Sequence, residues 1–293
     1  MNLLTVSTDL ISIFLFTTLF LFFARKVAKK VGLVDKPNFR KRHQGLIPLV
    51  GGISVYAGIC FTFGIVDYYI PQASLYLACA GVLVFIGALD DRLHRGPDGW
   101  RHRLAMMEAA DLSWFMGDRI SPDRLALWMS MRLSGVQDDT AALARVGWAL
   151  RRLTGGPGPE VDLSAFLDRR DPENMADEAE PFADRAGGWL DLMAQAADLH
   201  PITRACMGFH LWSLAGLGQQ GDRMEAAVTA ARIAASEGKG AVFVPLAMGG
   251  AGGLRAGGLP AERLARWLNG METASLSAMR HLDEIEAWSA RAR

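Results

Sequence analysis

The chain has 293 residues, no net formal charge and three cysteines, and these totals conceal two unlike parts. Residues 1–92 carry nine basic and five acidic groups, a net of +4, whereas residues 93–293 carry twenty-two basic and twenty-six acidic groups, a net of −4. Neither part is basic enough to point to nucleic acid, and Cys60, Cys79 and Cys206 lack the close spacing of a zinc site or a disulfide framework.

The first part reads as three membrane spans. Leu10–Ala24 is almost wholly apolar, and Leu3–Leu10 extends it upstream with Asp9 as its only charge. About twenty such residues cross roughly 30 Å of hydrocarbon. Its basic residues follow the apolar run rather than precede it, which argues against a cleaved leader. Leu46–Val66 and Ile70–Leu89 are two further runs, joined by Asp67-Tyr68-Tyr69, a turn suited to the membrane interface. Arg25, Lys26, Lys29, Lys30, Lys36, Arg40, Lys41 and Arg42 fall between the first two runs. The positive-inside rule places that loop in the cytoplasm, the N-terminus in the periplasm, and everything after Arg92 in the cytoplasm.

The third run then delivers Asp90 and Asp91 to the face that carries the basic loop. Adjacent carboxylates repel and lose hydration, and a bound Mg²⁺ sharing its shell with substrate phosphates relieves both costs. Arg40, Lys41 and His43 are the candidates for holding further phosphate charge. The competing reading is that Asp90 and Asp91 only end a helix in water and the basic loop only sets topology.

Three stretches carry a resemblance: Val34–His43, Pro48–Gly52 and Gly87–Arg92. Over residues 1–92 the chain resembles the polyprenyl-phosphate N-acetylhexosamine-1-phosphate transferase family. The resemblance implies a multi-pass bacterial inner-membrane enzyme that moves N-acetylglucosamine 1-phosphate from UDP-N-acetylglucosamine to undecaprenyl phosphate. It implies Mg²⁺ or Mn²⁺ as cofactor and a role at the start of lipid-linked glycan and lipopolysaccharide assembly. The family's first aspartate motif is Asp-Asp-x-x-Asp. Asp90 and Asp91 match its first two positions, and His94 stands at the third. The family's second aspartate-rich motif, its histidine-rich loop and its later spans are absent from the residues that follow.

At Arg92 the compositional habit changes. All eight tryptophans come later, and Lys239 is the sole lysine among the twenty-two later basic residues. Residues 93–99 read as a junction loop, and residues 100–293 as a cytoplasmic all-α domain with an internal linker near 155–160. Arg101–Gly117 carries an apolar stripe through Leu104, Met107, Ala110 or Asp111, Trp114 and Phe115. Ser121-Pro122 opens the next helix, and Asp138-Asp139 precedes one over Thr140–Leu153 with Leu143, Val146, Leu150 and Leu153 on its inner face. Helical patterns follow at Asn174–Leu199 and Pro201–Leu217. Asp222–Glu225 reads as a capping box for a helix ending near Gly238. Ala241–Leu254, too short to span a bilayer, packs in the core, its glycines permitting close helix approach. Pro260–Ala290 is the last helical pattern, with a break near Gly270 left open.

His200 and His210 read as satisfied or partly exposed histidines rather than ligands, and Glu284 and Glu286 as solvated charges. Trp100–Gly117, Pro201–Gly221 and Leu264–Trp288 are similar to a helical region of uncharacterised alphaproteobacterial proteins. A winged-helix DNA-binding module often follows that region; none is found here, and DNA binding is not carried over. The fold class expected is therefore all-α, with three transmembrane helices followed by a soluble helical domain that folds from about Gly96. Three functional readings stand together. The chain is a truncated, catalytically incompetent sugar-phosphate transferase fused to a helical domain, a membrane-anchored binding or regulatory module, or a misassembled chimera without evolved function.

Overall fold

The computed structural model describes residues 3–31, 34–35, 47–48, 50–65, 73–131, 139–169, 181–218 and 223–291. Their regular structure is helical, apart from one two-residue antiparallel pairing of β1 (Val34–Asp35) with β2 (Ile47–Pro48). The chain divides into two compact units, Met1–Val84 and Phe85–Arg293.

The first unit holds α1 (Leu3–Val31), α2 (Gly51–Ile65) and the start of α3 (Ala73–Arg95). Thr8–Ala28 within α1 is long and apolar enough to cross a membrane, and among the described residues no other helix meets both criteria. Its side chains suit that setting. Leu10, Phe14, Leu19, Phe22 and Phe23 stand exposed, and the hydroxyls of Ser12 and Thr17 donate back to the carbonyls of Thr8 and Ile13. Each of these two hydroxyls thus has its hydrogen satisfied within the helix. Against α2, Phe16 stacks on Phe61 with ring centroids 3.8 Å apart. A Cβ at Gly58 would sit 2.5 Å from the Thr17 hydroxyl, so glycine permits the close crossing. The helical part of the second apolar run has fifteen residues, shorter than a span. The third run does not end at its carboxylates, because α3 continues through Asp90 and Asp91 to Arg95. Its last residues, Phe85–Leu89, fall in the second unit, where Leu89 is buried.

The second unit is built around α10 (Met224–Ala234), an alanine-rich helix buried on nearly every side. It packs on α9 (Pro201–Leu211), α6 (Thr140–Thr154) and α4 (Asp98–Met116). Small side chains suit such a helix, because neighbours approach from all directions. α4 also meets α5 (Pro122–Met131) and α11 (Pro260–Arg291), and the short α7 (Leu163–Phe166) lies beside α8 (Phe182–Gln195). Trp189, Trp212 and Trp267 are fully buried, the first two meeting edge-on at 5.4 Å.

Several local expectations hold. Asp139 caps α6 by accepting the Ala141 N–H at 2.8 Å, and Leu143, Val146, Leu150 and Leu153 are buried. Ser121 accepts the Arg124 N–H at the start of α5. Others are corrected. Trp114 is 57% exposed, and the inner face of α4 is Leu104, Ala105, Glu108, Ala109, Ala110, Leu112 and Ser113, of which Leu104 and Ala110 belong to the expected stripe. Small residues let the neighbouring helices come close, and the indole lies outside with Arg119 over its ring. α10 ends at Ala234 rather than near Gly238, and Glu225 pairs with Arg169 at 2.5 Å; Asp222, the other half of the expected capping box, lies outside the described residues. α11 runs unbroken through Gly270, whose hydrogen faces the Gly253 backbone. The glycine-rich 155–160 segment is a loop tied into the unit, its Gly156 and Pro157 carbonyls accepting from Arg232.

Candidate functional site

The expected carboxylates lie on the last turns of α3, and the fold gives each a partner. The Asp90 carboxylate accepts three consecutive backbone N–H groups, from Lys239 (3.0 Å), Gly240 (2.9 Å) and Ala241 (2.7 Å). Two glycines make this approach possible. A Cβ at Gly240 would meet the Asp90 carbonyl oxygen at 2.5 Å and the His94 nitrogen at 2.3 Å, and one at Gly238 would meet Asp90 Oδ1 at 2.9 Å. Burial opposes ionisation of Asp90, but the three N–H bonds and nearby His94 outweigh it and hold the carboxyl below its usual range.

Asp91 pairs with Arg95 one turn on. Arg92 spans to α11, where it meets Asp283 at 2.6 Å, Glu286 at 3.0 Å and the Met279 carbonyl at 3.3 Å, with its guanidinium over the Trp100 ring. Glu286 is thus engaged rather than simply solvated, and Glu284 sits 3.3 Å from His281. His94 Nδ1 lies 3.2 Å from the Lys239 carbonyl and is its donor. Arg40, Lys41 and His43 lie outside the described residues.

A second carboxylate reaches the same loop. Glu108, fully buried in α4, accepts the N–H groups of Leu246 (2.8 Å), Ala247 (3.0 Å) and Met248 (3.1 Å). Burial pushes its carboxyl up to about 7 against those bonds, with a smaller push from Asp111. Loop residues 239–248 are therefore held at both ends by acidic side chains, and between them by the Val244 N–H donating to the Ala231 carbonyl at 3.0 Å. Sequence reasoning passed over Glu108. Its one trace was an acid within the alanine-rich face of α4.

These donors do not make a Mg²⁺ or Mn²⁺ site as folded. Hard cations need several free oxygen lone pairs within about 2.0–2.5 Å. Asp90 directs its oxygens to N–H donors, Asp91 is paired with a guanidinium, and His94 presents a protonated nitrogen to a carbonyl. No cluster of three or more His, Cys, Asp or Glu side chains suited to a metal occurs among the described residues. His200 caps α9 by accepting the Ile202 N–H, so it acts locally. Cys206 is buried, which pushes its thiol up to about 12 and makes it a poor nucleophile.

A 92-residue stretch, 31% of the chain, is 99% identical to undecaprenyl-phosphate alpha-N-acetylglucosaminyl 1-phosphate transferase of Escherichia coli strain K12 and covers 25% of that protein. The protein of the same name from Yersinia pestis is 75% identical over 92 residues, again 31% of this chain and 25% of the relative. That of Pasteurella multocida is 49% identical over 90 residues, 30% of this chain and 25% of the relative. The chain spans about a quarter of the length of the curated relatives it matches. The matched length equals that of the part before the compositional change at Arg92. No family model matches the chain. No solved structure matches it.

Proposed function

We propose that the transferase-like residues 1–92 serve as a membrane anchor, that the helical unit carries the chain's working role as a binding or regulatory module, and that the chain transfers no sugar phosphate. The observation that carries this reading is the engagement of Asp90. Sugar-phosphate transfer of the kind the relatives' names describe works by positioning phosphates and neutralising their charge. Here the carboxylate that would hold the metal is committed to the amides of residues 239–241. The fit of Asp90 into that loop, with Arg92 on α11, favours an anchored module over a functionless join. The apolar, exposed α1 supports anchoring. Two further spans, bacterial inner-membrane residence, a cytoplasmic basic loop and a cytoplasmic helical unit complete the proposal.

Membranes containing the intact chain, given radiolabelled UDP-N-acetylglucosamine, undecaprenyl phosphate and Mg²⁺, should form no lipid-linked product above background. Asp90→Asn and Asp91→Asn should be indistinguishable from the parent. Product made by the parent and lost in both variants would restore the transferase reading. For orientation, a C-terminal green fluorescent protein should fluoresce and a C-terminal alkaline phosphatase should be inactive; active phosphatase would place the unit on the other side.

A further inference from the structure

Three arginines, Arg223 just before α10 and Arg263 and Arg266 on α11, gather on the carbonyls of one short loop. Arg223 donates to the Leu254 carbonyl at 3.2 Å, Arg263 to Gly258 at 2.8 Å, and Arg266 to Arg255 at 3.1 Å and Gly257 at 2.8 Å. All three are partly exposed. Each guanidinium has five N–H donors in a planar fork, and these carbonyls use only one or two of them. None forms an ion pair with a carboxylate among the described residues, unlike Arg92, Arg145, Arg152, Arg169 and Arg204. Glu262, their nearest acid in sequence, accepts the Leu259 N–H. The cluster has a rigid floor: Arg223 lies over Phe209 at 4.5 Å, and Phe209 packs on buried Trp267 at 5.6 Å. His210 borders it with Nε2 buried and without a partner. Burial and the three arginines push that imidazole down to about 4, so it stays neutral and adds no charge to the cluster.

Three like charges held on one five-residue loop repel, and the loop carbonyls and the single Glu262 carboxylate, whose Oε2 lies with Arg266 Nη2 against Gly258, offset only part of that charge. The missing component is a compact anion with several oxygens. We infer that Arg223, Arg263 and Arg266 form a binding site for a soluble phosphate-bearing ligand, the forks taking phosphate oxygens. Anchoring of every guanidinium to backbone suits a small, shaped ligand; a lipid surface is served by long mobile cations.

The test is calorimetric titration of the detergent-solubilised full chain with inorganic pyrophosphate at pH 7.5. Saturable binding is expected, weakened about tenfold or more by Arg223→Gln or Arg263→Gln, as loss of a charge-assisted bond implies. Arg151→Gln, on the exposed face of α6, should leave it unchanged. Should a glutamine variant fail to fold, Arg263→Lys decides, keeping the charge but losing the fork, with a several-fold weakening expected. No saturable binding at millimolar pyrophosphate, or equal binding in parent and Arg263 variants, overturns the proposal. Competition by phosphatidic acid doped into the micelles overturns the assignment to a soluble ligand.

Discussion

Glu108 has no water and three backbone donors, and its pH response follows from that balance. Its carboxyl is raised from an ordinary value near 4.5 to about 7, so between those values the folded chain holds a proton the unfolded chain has released. Its contribution to stability is therefore complete below about pH 4.5 and lost as pH rises through about 7, a change of about 3 kcal/mol. Urea denaturation of residues 85–293 at pH 5 and pH 7.5 should show that difference, and Glu108→Gln should abolish most of it. Glu108→Ala should cost about 3–5 kcal/mol at pH 5, since it strands buried N–H groups and opens a cavity, and about 3 kcal/mol less at pH 7.5, where the parent has already lost the proton-linked contribution. Asp90 behaves oppositely. Its lowered carboxyl stabilises the fold above the unfolded range and loses that contribution only in acid.

Among the elements, the close contact of Gly253 with Gly270 sets two effects against each other. Alanine in mid-helix is favoured over glycine by about 1 kcal/mol. At Gly270, however, the new Cβ would lie 2.7 Å from Gly253 Cα and 2.9 Å from its nitrogen, and moving backbone costs about 1–3 kcal/mol. Gly270→Ala should thus lower the thermal midpoint, whereas Gly188→Ala in α8, whose Cβ meets nothing within 4 Å, should raise it. The comparison also marks what the sequence could disclose. The cap and inner face of α6 were legible because an Asp precedes a clean three-four repeat. The face of α4 was not, because alanines and one acid form it while the conspicuous Trp114 points outward. The continuity of α11 was hidden too. Gly270 reads as a helix breaker until its partner, seventeen positions earlier, is known. Asp90 was legible as chemistry, but its partners lie about 150 residues away and no local pattern announces them.

For the whole molecule, the boundary between units has a practical consequence. A fragment starting near Gly96 retains every helix from α4 onward, yet omits Leu89, Asp90, Arg92 and Leu93. Both leucines are buried, each worth about 1.5–3 kcal/mol, and Asp90 and Arg92 bind distant parts of the unit. The loss of about 5 kcal/mol rivals a domain's entire margin. A fragment from Phe85 should therefore unfold cooperatively by circular dichroism and calorimetry, and one from Gly96 should show a much lower, broadened transition. Equal midpoints would mean that the end of α3 contributes nothing to the unit.

The amides of residues 239–241 and 246–248 are held by carboxylates instead of carbonyls, and hydrogen–deuterium exchange turns that into a reporter. An amide in α10 exchanges when helix opens. These six exchange when a side chain lets go. At pH 6, Glu108 carries a proton while Asp90 remains a full anion. Opening hydrates Glu108 and returns its carboxyl toward the ordinary value, so protonation favours the closed loop. Between pH 7.5 and pH 6, protection factors should therefore rise at 246–248 and hold at 239–241, so that two stretches of one loop read out the ionisation of two different acids without the fold coming apart.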